Sequence, residues 1–241
     1  MRAFVASLQV IGLSLSLAAG SVSAETLPLP EPLVGLNSER GARLLLESEA
    51  NRSYWPLSIQ FVTQKNQAYC GVASLVMVLN ALGVPAPATP EFEPFKTFTQ
   101  DNLLNPDTEK VLPKEVLSKI GMTLDQIGGL LNSYLIKADV RHAADTSLDE
   151  FRTLATQALN SPNQYVIVNY LRRTIGQERG GHISPLAAYD ADTDRFLILD
   201  VSRYKYPPVW VKAEDLFAAM NTPDSDNENR TRGYVLVSAS I

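Results

Sequence analysis

The order of hydrophobic and polar residues divides the chain into a first half with helical periodicity and a second half with strand-like runs. The longest helical signal is CGVASLVMVLNAL, residues 70–82, in which apolar side chains surround the predicted helix axis. Gly83 and Pro85 follow this segment and predict its end. A helix that is hydrophobic on every side lies in the core of a protein, so we expect this helix to be central.

Shorter helices are predicted on both sides of the central one. Their ranges are 38–50, 113–120, 148–159 and 212–220. Two residue pairs have the spacing of capping boxes, which open helices: Thr123 with Gln126, and Ser147 with Glu150. The second pair supports the helix predicted from residue 148.

Apolar, β-branched runs in the second half of the chain predict strands. They cover residues 165–170 (YVIVNY), 182–189, 195–201 (RFLILDV) and 233–240 (GYVLVSAS). Residues 190–194 (DADTD) indicate a turn between two of these strands. Helices followed by strands predict an α+β fold. We expect a helical lobe over residues 38–160 and a strand-rich, antiparallel lobe over residues 161–241.

The first residues have the three-part pattern of a secretory signal peptide. Arg2 is the one charge in this segment, residues 10–19 are apolar, and the small residues SVSA predict cleavage after Ala24. The apolar part is too short to span a bilayer, and no later stretch is apolar for long enough. We therefore expect an exported, periplasmic protein without a membrane span after cleavage, beginning with a proline-rich lead-in over residues 25–37.

The charge of the chain narrows the classes of partner. Removal of Arg2 with the leader lowers the formal net charge from −5 to −6, and the chain has no run of basic residues. Such a protein is a poor match for nucleic acid or an anionic membrane surface. The hydrophobic content of 45% is enough for an ordinary core. The oligomeric state stays open, with a homodimer among the alternatives.

Cys70 is the only cysteine of the chain. An exported protein with one cysteine forms no internal disulfide, so the thiol is an intermolecular link, a reactive group or an inert core residue. Cys70 begins the predicted central helix, where backbone N–H groups and the helix dipole favour an anion. This position predicts a lowered thiol pKa and a nucleophile, with a buried structural thiol as the alternative.

A thiol nucleophile needs a base, and the chain has two histidines. His142 stands in the polar segment KADVRHAAD and is interpreted as a surface residue. His182 follows Gly180 and Gly181 and opens a predicted strand, which is a rigid mount that a ligand can approach closely. We therefore select His182 as the base, with a strand-end histidine of no function as the alternative.

Asp200 ends the apolar run RFLILD, and a carboxylate at the end of a buried strand needs a partner. The turn at residues 190–194 directs this strand back toward His182. Cys70, His182 and Asp200 are thus a candidate nucleophile, base and orienting group. Gln64, six residues before the cysteine, is a candidate to complete an oxyanion hole with the Cys70 backbone N–H. An exposed glutamine is the alternative.

Three segments, in this order, resemble the catalytic domain of phytochelatin synthase: QAYCGVASLVMVLNAL, GGHISPLAAY and LILDVSRYKYPPVW. The resemblance runs from about Phe61 to the C-terminus. It implies a single catalytic domain over residues 38–241 with the architecture of papain-like cysteine peptidases. In that architecture a helical lobe carries the nucleophile and a strand-rich lobe carries the histidine and the aspartate.

The resemblance also implies action on glutathione, γ-Glu-Cys-Gly. The Cys70 thiolate would attack the carbonyl of the Cys–Gly bond, and His182 would protonate the departing glycine. Water would then release γ-Glu-Cys from the thioester, whereas a second glutathione would give (γ-Glu-Cys)₂-Gly. By the same resemblance, Arg203 and Lys205 lie near the acceptor. Arg232 lies near the γ-glutamyl carboxylate, with a solvated arginine as the alternative.

Two features of the chain depart from the family pattern. Longer members add a cysteine-rich C-terminal region linked to heavy-metal response, whereas Cys70 is alone here. One thiolate does not build a metal site, so no cofactor is expected, and a heavy metal such as cadmium would act through a metal–glutathione thiolate substrate. Gln67 stands where the family usually has a proline.

Two other functions stay open on the sequence. One is a general papain-like peptidase that is exported and uses the same three residues. The other is an exported thiol-binding or metal-binding protein without turnover, although one cysteine and two separated histidines make a poor metal cage.

Overall fold

A computed structural model describes residues 26–239, and the predicted leader over residues 1–24 lies outside the described residues. The described residues form seven α-helices and seven β-strands. The helices are α1 (Glu39–Glu47), α2 (Tyr54–Ile59), α3 (Cys70–Ala81), α4 (Lys114–Ile120), α5 (Leu124–Ser133), α6 (Leu148–Asn160) and α7 (Ala213–Met220). The strands are β1 (Val34–Gly35), β2 (Lys137–His142), β3 (Gln164–Leu171), β4 (Gly181–Asp190), β5 (Arg195–Ile198), β6 (Val209–Lys212) and β7 (Gly233–Ser238). Within residues 26–239, none of the helices has the length and hydrophobicity that crossing a bilayer requires.

The seven strands form one antiparallel sheet in the order β1-β6-β5-β4-β3-β7-β2. Side chains of β3 alternate between two cores, with Val166 and Val168 on one face and Tyr165 and Ile167 on the other. Helices α6 and α7 cover the first face, and α3 and α5 cover the second. Because both faces are covered, the central strands have continuous apolar sequences without polar alternation.

Helix α3 is the central helix that the sequence predicts, and every residue from Cys70 to Leu79 is buried. The helix ends two residues before Gly83, whose φ of +67° lies in the left-handed region that glycine adopts readily. Gly71, the second residue of α3, lies close to side chains of other elements. A Cβ at this position would lie 2.9 Å from Met122 Sδ and 3.3 Å from Ile183 Cδ1. The small residue therefore lets the first turn of α3 pack directly against β4.

The predicted α+β fold with an antiparallel sheet is confirmed. The predicted helices correspond to α1, α3, α4, α6 and α7, and the predicted strands to β3, β4, β5 and β7, with ends that differ by a few residues. The Thr123–Gln126 capping box is complete, whereas Ser147 accepts from the Glu150 N–H without the reciprocal bond. The structure adds α2, β1, β2 and β6. Strands β1 and β2 come from outside the predicted strand-rich lobe and form the two edges of the sheet.

The interpretation of His142 as a surface residue is wrong. His142 ends β2, and only 3% of it is exposed. Strand β2 pairs with β7 along one side and packs against α5, although most of its residues are partly exposed. Its polar sequence is that of an edge strand, and the pattern therefore gave no indication that its last residue is buried.

Candidate active site

Cys70 is the first residue of α3, and only 7% of it is exposed. The sulfur accepts hydrogen bonds from the backbone N–H groups of Gly71 and Ile183. The Ser74 hydroxyl lies 2.8 Å from the Cys70 carbonyl oxygen and 3.2 Å from the Ile183 carbonyl oxygen. Polar contacts on two sides of the helix end thus hold the thiol against β4, in a cavity that His182 also lines.

The electrostatics of the thiol differ from the prediction made on its helix position. Burial raises the pKa of Cys70, although the backbone N–H groups of Ile183 and Gly71 and the charge of Arg172 act in the opposite direction. The predicted lowering of the thiol pKa is therefore wrong for the site without substrate. Removal of water from a thiolate costs more here than the helix end recovers.

His182 is the second residue of β4 and is 3% exposed. Its Nε2 lies 2.9 Å from Asp200 Oδ1 and 3.0 Å from Ser184 Oγ, and its ring stands edge-on to Tyr170 with 5.7 Å between the ring centroids. A carboxylate only accepts hydrogen bonds, so Nε2 carries the proton of the neutral ring and Nδ1 is unprotonated. Burial lowers the pKa of His182, opposed by the charge of Asp200. The neutral ring is therefore the resting form.

Asp200 is fully buried two residues beyond β5. Arg172 Nη2 donates to its Oδ1 at 2.9 Å, Arg172 Nη1 lies 2.8 Å from Oδ2, and the Ser202 backbone N–H donates to Oδ1 at 2.8 Å. Burial opposes ionisation, but His182 and Arg172 together hold the pKa of Asp200 well below its usual range. The carboxylate is thus an anion that orients the His182 ring.

Arg172 is a residue of the candidate site that the sequence did not predict. It is 3% exposed, it also bonds the Gln177 side chain, and it lies over the Tyr206 ring at 5.2 Å. Its segment, LRRTI, contains two adjacent arginines, and no local feature separates the buried Arg172 from the exposed Arg173. The one indication in the sequence was indirect: a buried Asp200 carboxylate requires a nearby cation.

Gln64 is 4% exposed and lies near Cys70, His182 and Asp200, which we call the triad. Its side-chain oxygen accepts from the Ser202 hydroxyl at 2.7 Å, and the other end of the amide is the donor because it faces the Asn66 carbonyl, which only accepts. Its nitrogen donates to the Asn66 carbonyl at 2.6 Å and to the Tyr204 hydroxyl at 3.2 Å. A role in an oxyanion hole therefore requires that one of these two bonds be released, and the longer one goes to Tyr204, which is half exposed.

Two cavities meet at His182. The first contains Cys70, His182 and Gly181 together with Asn169, Asp224 and Arg232. The second contains His182 and Gly181 together with Gln64, Arg172, Glu178 and Lys205. Gln67, Gly181 and His182 contribute to both, so the two cavities adjoin at the histidine. Within residues 26–239, no three His, Cys, Asp or Glu side chains converge closely enough to hold a metal ion.

The three basic residues singled out from the sequence occupy different places. Arg232 lines the first cavity and is 9% exposed, with Nη2 at 3.2 Å from Asp224 Oδ1. Lys205 lines the second cavity and pairs with Glu178 at 2.9 Å. Arg203 is exposed, and its guanidinium lies over the Phe61 ring at 4.7 Å, apart from the described walls of both cavities.

The arrangement of a helix-borne cysteine beside a strand-borne histidine and an aspartate can be compared with known families. The family model described as phytochelatin synthase matches residues 24–234. The chain belongs to the phytochelatin synthase family. Its α+β fold agrees with the papain-like architecture that this membership implies.

Three relatives in the family show the extent of the similarity. Glutathione gamma-glutamylcysteinyltransferase 1 of Lotus japonicus is 35% identical over 215 residues, covering 88% of this chain and 41% of the relative. The protein of the same name in Arabidopsis thaliana is 32% identical over 225 residues, covering 92% and 45%. Glutathione gamma-glutamylcysteinyltransferase of Schizosaccharomyces pombe is 30% identical over 212 residues, covering 87% and 50%. The chain thus spans half or less of the length of these relatives.

The ion pair of Arg172 with Asp200 leads to a prediction about stability. Replacing Arg172→Met should lower the free energy of unfolding at about pH 7 by roughly 3–5 kcal/mol, because the Asp200 charge loses its main cation in the core. The difference from the wild type should narrow as the pH falls below about 4, because protonation then removes the uncompensated charge. Urea denaturation at several pH values measures both effects.

Arg173→Met is the matched control, since Arg173 is the adjacent, exposed arginine. Its effect on the free energy of unfolding should stay within about 0.5 kcal/mol. Equal stability of the two variants at neutral pH would contradict the structural role given to Arg172.

Proposed function

We propose that the protein is a glutathione γ-glutamylcysteinyltransferase that also acts as a glutathione peptidase. The observation that carries the proposal is the junction of Cys70 with the buried His182–Asp200 pair at the wall of one cavity. The relatives are named for γ-glutamylcysteine transfer, and their names supply the substrate. The chain is a cysteine-nucleophile acyltransferase in this proposal.

The first half-reaction forms a thioester. His182 Nδ1 takes the thiol proton while the Cys70 sulfur bonds to the carbonyl carbon of the Cys–Gly peptide. The Cys70 backbone N–H and the Gln64 amide stabilise the negative oxygen of the tetrahedral intermediate. The C–N bond then breaks, and His182 gives the same proton to the amine of glycine. The γ-Glu-Cys acyl group remains bound to Cys70.

The second half-reaction decides the product. Water attacks the thioester, with its proton taken by His182 and passed to the sulfur, and γ-Glu-Cys is released. If the amine of a second glutathione attacks instead, the product is (γ-Glu-Cys)₂-Gly, and the same proton transfer regenerates the thiol. Asp200 holds the ring in the tautomer that both steps need, because its carboxylate keeps the proton on Nε2.

The resting state of the pair follows from burial. Burial raises the pKa of Cys70 and lowers that of His182, and both shifts favour a neutral thiol beside a neutral imidazole. His182 therefore acts as a general base during attack, and the resting site holds no preformed ion pair. An exported thiol kept in this form is also less reactive toward oxidants, because the thiolate is the reactive species.

The first cavity is suited to the γ-glutamyl end of glutathione. Arg232 Nε is buried without a protein partner, and it faces Gly181 at the cavity wall, where a Cβ would lie 3.4 Å from it. A substrate carboxylate would complete the hydrogen bonding of this guanidinium. The carboxylate of Asp224, which lines the same cavity, is available to the α-ammonium of the substrate.

The second cavity is suited to the acceptor. Lys205 offers a positive charge to an acceptor carboxylate, but Glu178 pairs with that charge in the structure. Arg203 contributes from outside the cavity only if it leaves the Phe61 ring. A heavy metal such as cadmium enters the proposal as part of a metal–glutathione thiolate acceptor, since the one thiol of the chain is the nucleophile.

Export to the periplasm is part of the proposal and is supported by the leader pattern of residues 1–24 alone. Expression of the full chain in a Gram-negative host should give periplasmic protein whose N-terminal residue is Glu25. Full-length protein in the cytoplasmic fraction would contradict this part and leave the activity unaffected.

Glycine release from glutathione tests the central claim. Cys70→Ser should fold normally and release glycine at least a thousandfold more slowly, because a serine hydroxyl lacks thiolate character at neutral pH. His182→Ala should be nearly as slow, and Asp200→Asn should keep some activity, because an orienting group contributes less than the base. Circular dichroism and quantified free glycine are the measurements.

Intact-mass spectrometry on briefly exposed enzyme distinguishes the proposal from its rivals. A γ-Glu-Cys adduct on Cys70 that resists dithiothreitol is expected, since a thioester is not a disulfide. An adduct with the mass of whole glutathione, lost to dithiothreitol without release of glycine, would indicate a redox-active thiol. Glycine release from unrelated peptides at equal rates would indicate a general peptidase.

The ratio of transfer to hydrolysis should rise with glutathione concentration, because a second glutathione must bind before water attacks the thioester. Hydrolysis should dominate at low concentration, since Glu178 partly neutralises the acceptor cavity. Glu178→Gln should raise the share of (γ-Glu-Cys)₂-Gly by up to about fivefold, the size expected for an exposed ion pair. Chromatography of the two products at a series of concentrations measures the ratio.

Glu115→Gln, an exposed position on α4, is the control for the change in net charge. It should leave the product ratio unchanged. A ratio that does not depend on glutathione concentration would show that the acceptor does not compete with water at a common thioester.

A further inference from the structure

His142 is a buried histidine that the proposed reaction does not use. Its ring Nδ1 contacts the carbonyl oxygen of Thr231, and its Nε2 lies 3.1 Å from Asp125 Oδ1. Both ring nitrogens therefore face atoms that accept hydrogen bonds. A carbonyl oxygen and a carboxylate oxygen have no hydrogen to give in return, so a neutral ring with one N–H satisfies only one of them. The doubly protonated imidazolium satisfies both.

The surroundings of the ring compensate a positive charge. Asp125 of α5 is the titratable side chain in contact with the ring, and β7 faces His142 with Gly233, which has no side chain. Although partial burial opposes it, hydrogen bonds from Asn227 and His142 lower the pKa of Asp125, so its carboxylate is charged. Arg230 shares that carboxylate, with Nη1 at 2.9 Å from Oδ2.

These contacts all hold one segment, which we name the substrate loop and define as residues 221–232. Asp125 Oδ2 accepts from Asn227 Nδ2 at 2.9 Å and from Arg230, while His142 holds the Thr231 carbonyl. The next residue after His142 continues the attachment, because the Ala143 N–H donates to the Arg232 carbonyl oxygen at 2.9 Å. Helix α5 and the end of β2 thus fix the loop from one side.

The substrate loop supplies two residues of the cavity beside Cys70. Asp224 and Arg232 line this cavity and pair with each other at 3.2 Å. Thr231, which His142 holds, is the residue immediately before Arg232. A shift of the loop therefore moves the guanidinium that faces the substrate, while the triad residues lie on other elements and stay in place.

We propose that His142, doubly protonated, is a positioning residue that holds the substrate loop in the conformation that binds the γ-glutamyl end of glutathione. The identity of the ligand rests on the proposed function. The two contacts of His142, with the Thr231 carbonyl and with Asp125, do not, and we call them the clamp. Loss of either of the two ring contacts loosens the loop. The KM for glutathione then rises and kcat changes little.

Two near-isosteric variants test the clamp. His142→Asn retains a donor near the Nδ1 position, and His142→Gln retains one near the Nε2 position, so each keeps one of the two contacts. Each should raise the KM for glutathione by about tenfold, the effect of losing one charge-assisted hydrogen bond, with kcat within about threefold. Lys137→Gln, at the exposed first residue of β2, is the control and should leave both constants unchanged.

The wild-type protein supplies a readout that needs no variant of His142. Because the chain has two histidines, comparison with His182→Ala assigns their ring signals in nitrogen-15 NMR spectra. The His142 ring should carry protons on both nitrogens wherever the KM is low. The spectra should be recorded under the conditions of the kinetic assay.

Hydrogen exchange of the loop separates failure of the clamp from failure of the proposed function. Backbone amides of residues 221–232 should exchange faster in His142→Asn than in Lys137→Gln, whether or not glutathione is the substrate. Equal exchange, or a ring with a single proton throughout the range of low KM, would overturn the clamp. Absence of glycine release by the wild type, with exchange as expected, would overturn the proposed function alone.

Discussion

The buried negative charge of Asp200 is the constraint on which the rest of the site depends. A carboxylate without water is tolerated only when cations and donors surround it closely, and here they come from three separate strand ends. Arg172 follows β3, His182 begins β4, and the Ser202 N–H follows β5. These strands are neighbours in the sheet, and Tyr170 pairs directly with His182. The register of the sheet and the geometry of the candidate active site are therefore parts of the same arrangement.

Cys70 is brought to this charged cluster by packing. Gly71 and the hydroxyl of Ser74 bring the first turn of α3 against β4, so that the Cys70 sulfur contacts the Ile183 N–H. The same close packing removes water from the thiol. A helix end that would favour a thiolate in solution therefore holds a neutral thiol, and the protein separates the placement of the nucleophile from its ionisation.

The features that could be predicted from the sequence are those that a few adjacent residues reveal. An unpaired cysteine at a helix start, a histidine after two glycines and an aspartate after an apolar strand each conflict with an ordinary structural role, and they led to Cys70, His182 and Asp200. The local sequence did not reveal the buried positions of Arg172 and His142. Arg172 binds Asp200, 28 positions away, and His142 contacts the Thr231 carbonyl, 89 positions away. Strand β2 was missed for a related reason, since an edge strand exposed on one side has a polar sequence and only its pairing with β7 makes it a strand.

The position of β7 also has a consequence for biosynthesis. This strand is the last of the described chain, yet it lies between β3 and β2, and both of its edges are paired. Strand β2 has no other neighbour in the sheet, so it leaves the ribosome long before its only partner exists. Cys70, His182 and Asp200 are thus all synthesised while an internal strand is still missing and two strand edges are open to wrong partners. The chain reaches its native topology only when β7 inserts between β3 and β2, and until then its open strand edges are prone to aggregation.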